Sequence, residues 1–207
     1  MKCTATGALV AASLAALAAT SAVQAQEGTW EARFRVEELI PANKSDAIGA
    51  LGLPADAIHV NKKTIPEVDF SYFFTNNIAA ELILTYPQKQ TVSIPSGDIG
   101  TFKHLPPTLL AQYHFLPATA VDPYVGVGIN YTLISDVSLA VPGADLKRSS
   151  FGPAVQGGID FAVDKNWVVN LDAKYIQIRT DLTDNGTTLG KVRVDPWLIG
   201  VGVGYKF

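Results

Sequence analysis

From Trp30 onward, apolar and polar side chains alternate in segments with a period of two, the spacing that puts successive residues on opposite faces of a β-strand. The last segment shows this most cleanly. Trp197, Ile199, Val201, Val203, Tyr205 and Phe207 share one parity, and Leu198, Gly200, Gly202, Gly204 and Lys206 fill the other. Aromatics at both ends with aliphatics between them suit a strand that meets lipid tails in its middle and a water interface at each end. In the first segment Trp30, Ala32, Phe34 and Val36 alternate with Glu31, Arg33, Arg35 and Glu37. Four charges on one face are too costly for hydrocarbon, so that face is expected to look into an enclosed polar interior.

The same division recurs along the chain. Val68, Phe70, Tyr72 and Phe74 oppose Glu67, Asp69 and Ser71; Ala80, Leu82, Leu84 and Tyr86 oppose Glu81 and Thr85; Leu109, Ala111, Tyr113 and Phe115 oppose Gln112 and His114. Val125, Val127, Ile129 and Tyr131 follow against Gly126, Gly128, Asn130 and Thr132, then Phe151, Val155, Ile159 and Phe161 against Gln156 and Asp160, then Val169, Leu171, Ala173 and Tyr175 against Asn170, Asp172 and Lys174. Eight strands result. Their connections alternate between short turns (75–77, 117–122, 164–166) and long loops (39–64, 87–102, 134–148, 181–190), as an up-and-down barrel requires, with the short turns and both termini expected on the periplasmic side. Within the first loop, residues 46–53 are expected to form one or two helical turns ended by Gly52 or Pro54.

Hydrogen bonding dictates closure, because an open sheet edge in hydrocarbon leaves each unpaired backbone group short by several kcal/mol. The predicted fold is therefore all-β, an eight-stranded antiparallel up-and-down transmembrane barrel. Such a barrel has an interior just wide enough for side chains, one small ligand or a thin passage. Glycines 200, 202 and 204 on the inner parity of the last strand either free space for Arg33 and Arg35 of the first or permit tight curvature.

Composition sharpens this. Of 207 residues 48% are hydrophobic and only 17% charged, which excludes a disordered chain, and the net charge of -3 without a basic stripe argues against a nucleic-acid partner. Lys2 precedes an uncharged alanine-rich stretch ending Val23-Gln24-Ala25, a pattern expected of a signal peptide over residues 1–25, which leaves residues 26–207 as the exported barrel. That part has no cysteine, since Cys3 lies in the leader, so neither disulfides nor thiol chemistry are available. No later stretch is long and apolar enough for a membrane-spanning helix.

Several motifs point to a family. Tyr72-Phe73-Phe74-Thr75-Asn76-Asn77-Ile78-Ala79-Ala80-Glu81-Leu82, Leu105-Pro106-Pro107-Thr108-Leu109, Gln112-Tyr113-His114-Phe115, the run from Pro123 to Thr132, and the terminal Gly202-Val203-Gly204-Tyr205-Lys206-Phe207 occur in the order found there. On these residues the chain resembles the OmpW family of small outer-membrane barrels over essentially its whole exported length. The resemblance implies a narrow, largely apolar interior that passes or binds small hydrophobic molecules, and a closing Gly202, Tyr205 and Phe207 that resemble the signal read by the barrel assembly machinery. The residues agree only in part. Phe73, Ile83, Leu110, Val168, Ile176, Ile178 and Leu198 are candidates to line an apolar lumen, whereas Arg33, Arg35, Glu67, Asp69, Glu81, His114, Asp160, Asp172 and Lys174 fall on the same inward parity and are expected to form a polar plug. Arg33, Glu81, Asp160 and Asp172 are expected to cross-pair in the periplasmic half, with Ile83, Leu110, Ile176 and Ile178 forming an apolar cup above.

Three function classes stay open. The leading one is a channel or binding cavity for small hydrophobic solutes, with outer-membrane lipid as its surroundings and lateral release where Pro106, Pro107 and Pro153 remove ladder donors; strand ends or bulges are the simpler account of these prolines. The second is a surface protein whose loops bind a ligand. The third, a lipid-modifying enzyme, is the weakest: only His59, His104 and His114 are available, no serine alternates beside His114, and Glu81 or Asp160 is expected to hold that ring as a structural residue. No cofactor motif occurs, no metal-ligand spacing is found, and Asp181, Asp184 and Asn185 read as a turn.

Overall fold

A computed structural model describes residues 27–207, so the expected signal peptide lies outside the described residues. In chain order the strands are β1 (Trp30–Ile40), β2 (Lys44–Ser45), β3 (His59–Val60), β4 (Lys63–Phe73), β5 (Ile78–Leu84), β6 (Gln88–Ile94), β7 (Gly97–Leu105) and β8 (Thr108–His114). They continue as β9 (Val121–Leu139), β10 (Ala144–Leu146), β11 (Ser149–Ala162), β12 (Trp167–Ile176), β13 (Arg179–Asp184), β14 (Thr187–Arg193) and β15 (Trp197–Lys206). Eight of them, β1, β4, β5, β8, β9, β11, β12 and β15, pair antiparallel around a ring that the β9–β11 and β1–β15 ladders complete. Among the described residues no edge of this ring is left unpaired, and the eight expected strands are all present.

Parity decides what each face meets. Val36, Val68, Leu82, Leu109, Val127, Val155, Leu171 and Val201 stand exposed around the middle of the outer wall. Aromatic rings bracket them. Near the termini Trp30 packs on Tyr72 with centroids 5.0 Å apart and Trp167 on Tyr205 at 5.0 Å, while Tyr175 and Trp197 pair at 5.6 Å toward the other end. Two aromatic girdles around an aliphatic belt are the outer surface of a membrane barrel.

Three short turns and the two ends of the described residues lie at one mouth, where the Trp30 amide donates to the Phe207 carbonyl at 3.0 Å. The other mouth is elaborated differently from the loops expected there. The segment 87–102 is mostly a β-hairpin, β6 with β7, and 181–190 lies within a second hairpin, β13 with β14, turned by Asn185-Gly186 with both residues at positive φ. The segment 134–148 is half strand, because β9 runs on to Leu139 and β10 joins β13. In the first loop a single 3₁₀ turn, Gly49–Leu51, ends at Gly52 with φ 65°, and the Ile48–Leu53 bridge closes it. The barrel wall therefore continues as sheet beyond the belt of lipid-facing residues.

Candidate functional site

The interior divides by height. In its lower and middle part, near the short turns, Arg33 reaches across the barrel. Its guanidinium donates to Glu81 at 3.0 Å and Asp160 at 2.7 Å, with its Nε 2.8 Å from Glu31. Register makes room for it: a Cβ on Gly204 would stand 3.0 Å from the Arg33 Cγ, and one on Gly202 2.6 Å from the Arg35 Cγ. The space account of these inner glycines is thus realised in the packing.

Arg35, one layer higher, donates from Nε to Asn170 at 2.7 Å and pairs with Asp69 at 2.7 Å and Glu81 at 3.1 Å. Lys174 stands above, tied to Glu67, to Glu37 at 3.1 Å and to Asp172 at 2.9 Å. Asp172 accordingly joins Lys174 and the Tyr124 hydroxyl, which donates to it at 3.0 Å, rather than the Arg33 group expected for it. His114 is also held otherwise than expected. Its Nδ1 donates to Asp122 at 2.8 Å, not to Glu81 or Asp160, and its ring stacks on Tyr124 and packs on Phe73.

Eight acids, Glu31, Glu37, Glu67, Asp69, Glu81, Asp122, Asp160 and Asp172, face four bases, Arg33, Arg35, Lys174 and Lys206, all essentially without solvent access. Removing charges from water costs several kcal/mol each, and the loss is offset only where every lone pair finds a partner. This network spans opposite walls of the barrel. Reading the strands separately placed Glu31, Glu37 and Asn170 on the inward face without assigning them to the plug, and missed Tyr124 and Asp122, although both lie on the inward parity.

The upper part is apolar. Leu39, Ile65, Ile83, Leu110, Ile176, Ile178 and Leu198 belong to one buried cluster that continues into the extended mouth through Val92, Phe102, Leu146, Leu182, Val192 and Val194. Phe73 and Val168 do not belong to it. They form small separate contacts, Phe73 with Ala79 and Val168 with Ala162, close to the short turns. The cup expected beneath the loops is also filled by the loops. Ile48, Ile58 and Val60 plug it, leaving an apolar cavity of about 30 Å³ between Leu53, Phe102, Leu139 and Leu182. That is room for about two waters, taking roughly 10–15 Å³ for each.

The prolines mark a splice in the wall. Pro106 and Pro107 separate β7 from β8 as strand ends, and the Pro107 carbonyl still accepts from the Tyr131 amide at 3.1 Å. At Pro153 the regular β11–β12 register ends: its last pair is Ala154 with Ile176, and above it the Gln177 amide still donates to the Pro153 carbonyl at 3.0 Å and the Arg179 amide to the Ser150 hydroxyl at 2.9 Å. At the wide mouth the exposed carboxyls of Asp46 and Asp56 are held below the ordinary range, chiefly by hydrogen bonds from Arg193 and Lys44 respectively.

Among the described residues, one group with potential metal ligands does arise from the fold. Ligand atoms of His114, Asp122 and Asp160 lie within 4.8 Å of one another, a juxtaposition that sequence spacing hid. Its carboxylates are already engaged: Asp160 by Arg33 and Asn170, Asp122 by His114 and the Leu116 amide. The protein itself supplies the positive charge there. Tyr205 and Phe207 lie exposed on the outer wall beside the short turns, their rings stacked at 6.3 Å, while Gly202 faces inward against Arg35.

Comparison with known proteins gives a consistent result. The family model described as the OmpW family matches residues 26–207. An uncharacterized outer-membrane protein of Sinorhizobium fredii, y4mB, is 40% identical over 91% of this chain and 84% of its own length. Outer membrane protein W of Vibrio cholerae is 34% identical over 94% of this chain and 95% of its own. Among solved structures, the outer membrane protein OprG of Pseudomonas aeruginosa is similar with a TM-score of 0.75 at 30% identity, covering 88% of this chain and 97% of that one.

Proposed function

We propose, from the premise that this chain belongs to the OmpW family of outer-membrane barrels, that it is a binding chamber and narrow passage for small hydrophobic molecules. The observation that carries this is the division of one interior into an apolar upper part and a closed ionic floor. A solute entering from the wide mouth displaces the side chains of Ile48, Ile58 and Val60, which gives it apolar surroundings worth about 25 cal/mol for each Å² removed from water. It meets the floor of Lys174, Glu37 and Glu67 and cannot continue downward without stripping charges of their partners. The exit is sideways, where the regular ladder between β11 and β12 ends at Ala154 and, before β10 pairs with β13, the wall is held by the Gln177 amide on the Pro153 carbonyl, the Arg179 amide on the Ser150 hydroxyl and the Lys147 amide on the Asp181 carbonyl. Beyond that splice lies lipid, the solvent in which such a molecule is soluble.

In this reading the short turns face the periplasm and the hairpins face outward. Residues 1–25 are removed on export, and the stacked Tyr205 and Phe207 with Gly202 serve recognition by the assembly machinery. No catalytic step is assigned, since His114 is committed to Asp122 between two aromatic rings. The alternative, a surface protein whose loops bind a ligand, has less support, because the bodies of the first loop and the hairpins turn their apolar side chains, among them Ile48, Ile58, Val92 and Leu182, inward to the shared core.

The test is reconstitution in phospholipid vesicles and measurement of naphthalene entry by quenching of an encapsulated dye. Faster entry than into protein-free vesicles is expected, and slower entry when the Ser150 and Arg179 positions are joined by a disulfide in the S150C/R179C variant. Equal entry with and without protein would sink the transport reading.

A further inference from the structure

A furrow marks the outer wall where the pairing of β4 with β5 ends. The last pair of that ladder is Val68 with Leu84, and above it a side chain, the Thr85 hydroxyl, donates to the Pro66 carbonyl at 2.7 Å. Pro66 has no amide hydrogen with which to continue the ladder. The furrow has a volume of about 390 Å³ and is lined by Phe34, Pro66, Val68, Leu84, Thr85 and Tyr86. Phe34, Val68, Leu84 and Tyr86 are exposed on the lipid side of the wall, so in a bilayer the furrow lies open to acyl chains.

The upper end of the furrow is cationic. β4 begins at Lys63, just above Pro66, and β6 carries Lys89 just beyond Tyr86, each separated from the rim by roughly 10 Å of extended chain. Lys89 stands directly opposite Lys103 across the β6–β7 ladder, an arrangement in which like charges repel. The Lys63 ammonium joins them by donating to the Lys89 carbonyl at 3.2 Å. Only Lys103 has an acid, Asp136 at 2.7 Å; among the described residues Lys63 and Lys89 pair with none. Glu38, on the neighbouring outer face of β1, is held by the Thr64 hydroxyl at 2.8 Å. Another like-charged pair at this mouth, Arg179 opposite Arg193, is no equivalent, since each guanidinium has its own carboxylate, Asp195 at 3.0 Å and Asp46 at 2.7 Å.

The groups in contact above the furrow thus leave an excess of two positive charges. A phosphate monoester, with about −1.5 to −2 near neutral pH, matches that excess better than a phosphodiester with its single charge or a zwitterionic head. We propose that this face binds one membrane lipid whose head is a phosphate monoester, with an acyl chain in the furrow and the phosphate held by Lys63, Lys89 and Lys103. Tyr86, between the two, takes the level of the membrane interface. The site lies on the lipid side of the wall, apart from the chamber, and does not depend on whether solutes pass through it.

The experiment places the barrel in nanodiscs of dimyristoylphosphatidylcholine. It follows the backbone amide resonances of Leu84, beside the furrow, and of Lys103 while dimyristoylphosphatidic acid, dimyristoylphosphatidylglycerol or soluble glycerol 3-phosphate is added at matched total concentration. Phosphatidic acid is expected to shift both resonances together and to bind about fivefold tighter than phosphatidylglycerol, the usual weight of one further charge at such a surface. Lys89→Gln is expected to weaken phosphatidic acid binding about fivefold, and the double variant Lys89→Gln, Lys103→Gln to abolish its advantage over phosphatidylglycerol. Lys147→Gln, which changes an exposed lysine elsewhere at this mouth, is expected to leave that advantage intact. Equal wild-type affinity for the two lipids, an advantage that survives in the double variant, or one lost equally in Lys147→Gln overturns the proposal. So does glycerol 3-phosphate acting at the same concentration with Leu84 unmoved, which makes this a site for phosphate and not for a lipid. The ranking of the three probes is read on the wild type and decides the matter even where a variant does not fold.

Discussion

The lower and upper parts of this barrel's interior share the same walls and the same exclusion of water, yet they are filled on opposite principles. Below, Arg33, Arg35 and Lys174 each bind acids from several strands at fixed distances, so that each position is specified by its partners. Above, aliphatic side chains from the wall and from the hairpins meet without directional bonds. An ionic filling tolerates no missing member, because a lone buried charge cannot be compensated. An apolar filling tolerates exchange of shape at similar volume. The rigid floor and the adaptable cup are thus consequences of which residues fill them, and an opening chamber belongs in the second region.

The comparison is broken most severely at Arg35. Its replacement by Ala strips Asp69, Glu81 and Asn170 of a shared partner and is expected to cost about 3–5 kcal/mol of stability. Urea unfolding in vesicles, followed by tryptophan fluorescence, measures this; a loss below about 1 kcal/mol would show that the floor does not depend on the pairing. Next is the premise that the wall has two different faces. Val201→Arg, placing a charge on the exposed outer face at mid-height, is expected to destabilise by about 2–4 kcal/mol, and the same assay would expose an aqueous outer wall by showing no change.

A smaller effect sharpens the contrast. Ile178→Val in the upper cluster is expected to cost about 0.5–1.5 kcal/mol. Arg35→Lys in the floor, although it keeps the charge, is expected to lose more, because lysine cannot reproduce the planar fork that reaches several partners at once. Reversal of that order would erase the distinction between the two fillings. The mildest effect is one of pH. Asp46 and Asp56 lie below the ordinary carboxylate range in the folded protein, so their contribution is present above the unfolded value and lost as the pH falls through the folded one. Amide exchange in β2 and β14 is expected to rise below about pH 4, while exchange in β1 and β15 stays unchanged; uniform loosening would count against separate regions.

Much of the wall was legible because its two sides are chemically unlike. Val36 and Arg35 cannot exchange faces, and that contrast marks each strand. The β6–β7 hairpin escaped the same reading. Gln88 and Gln90 point inward, and Lys89 and Thr91 point outward, so the alternation of Gln-Lys-Gln-Thr carries little change of polarity although the backbone is fully extended. His104, seen as a lone histidine near a strand end, lies 3.4 Å from Gln90 across that hairpin, a pairing that neither strand shows alone. The Asn185-Gly186 turn, by contrast, was visible, since two adjacent residues able to hold positive φ are a local requirement.

The sequence alone determined that the chain must form a closed wall with a lipid side and an inner side, because alternation and the absence of a spanning helix leave no other way to satisfy the backbone in hydrocarbon. Within the eight wall strands it also determined which residues face inward. Tertiary structure decided which of those meet: that Asp122 rather than Glu81 holds His114, that Asp172 belongs to Lys174, and that the first long loop folds its own isoleucines, Ile48 and Ile58, into the cup. Parity is a property of one strand. Partnership across a barrel depends on the stagger among all eight, which no single segment encodes.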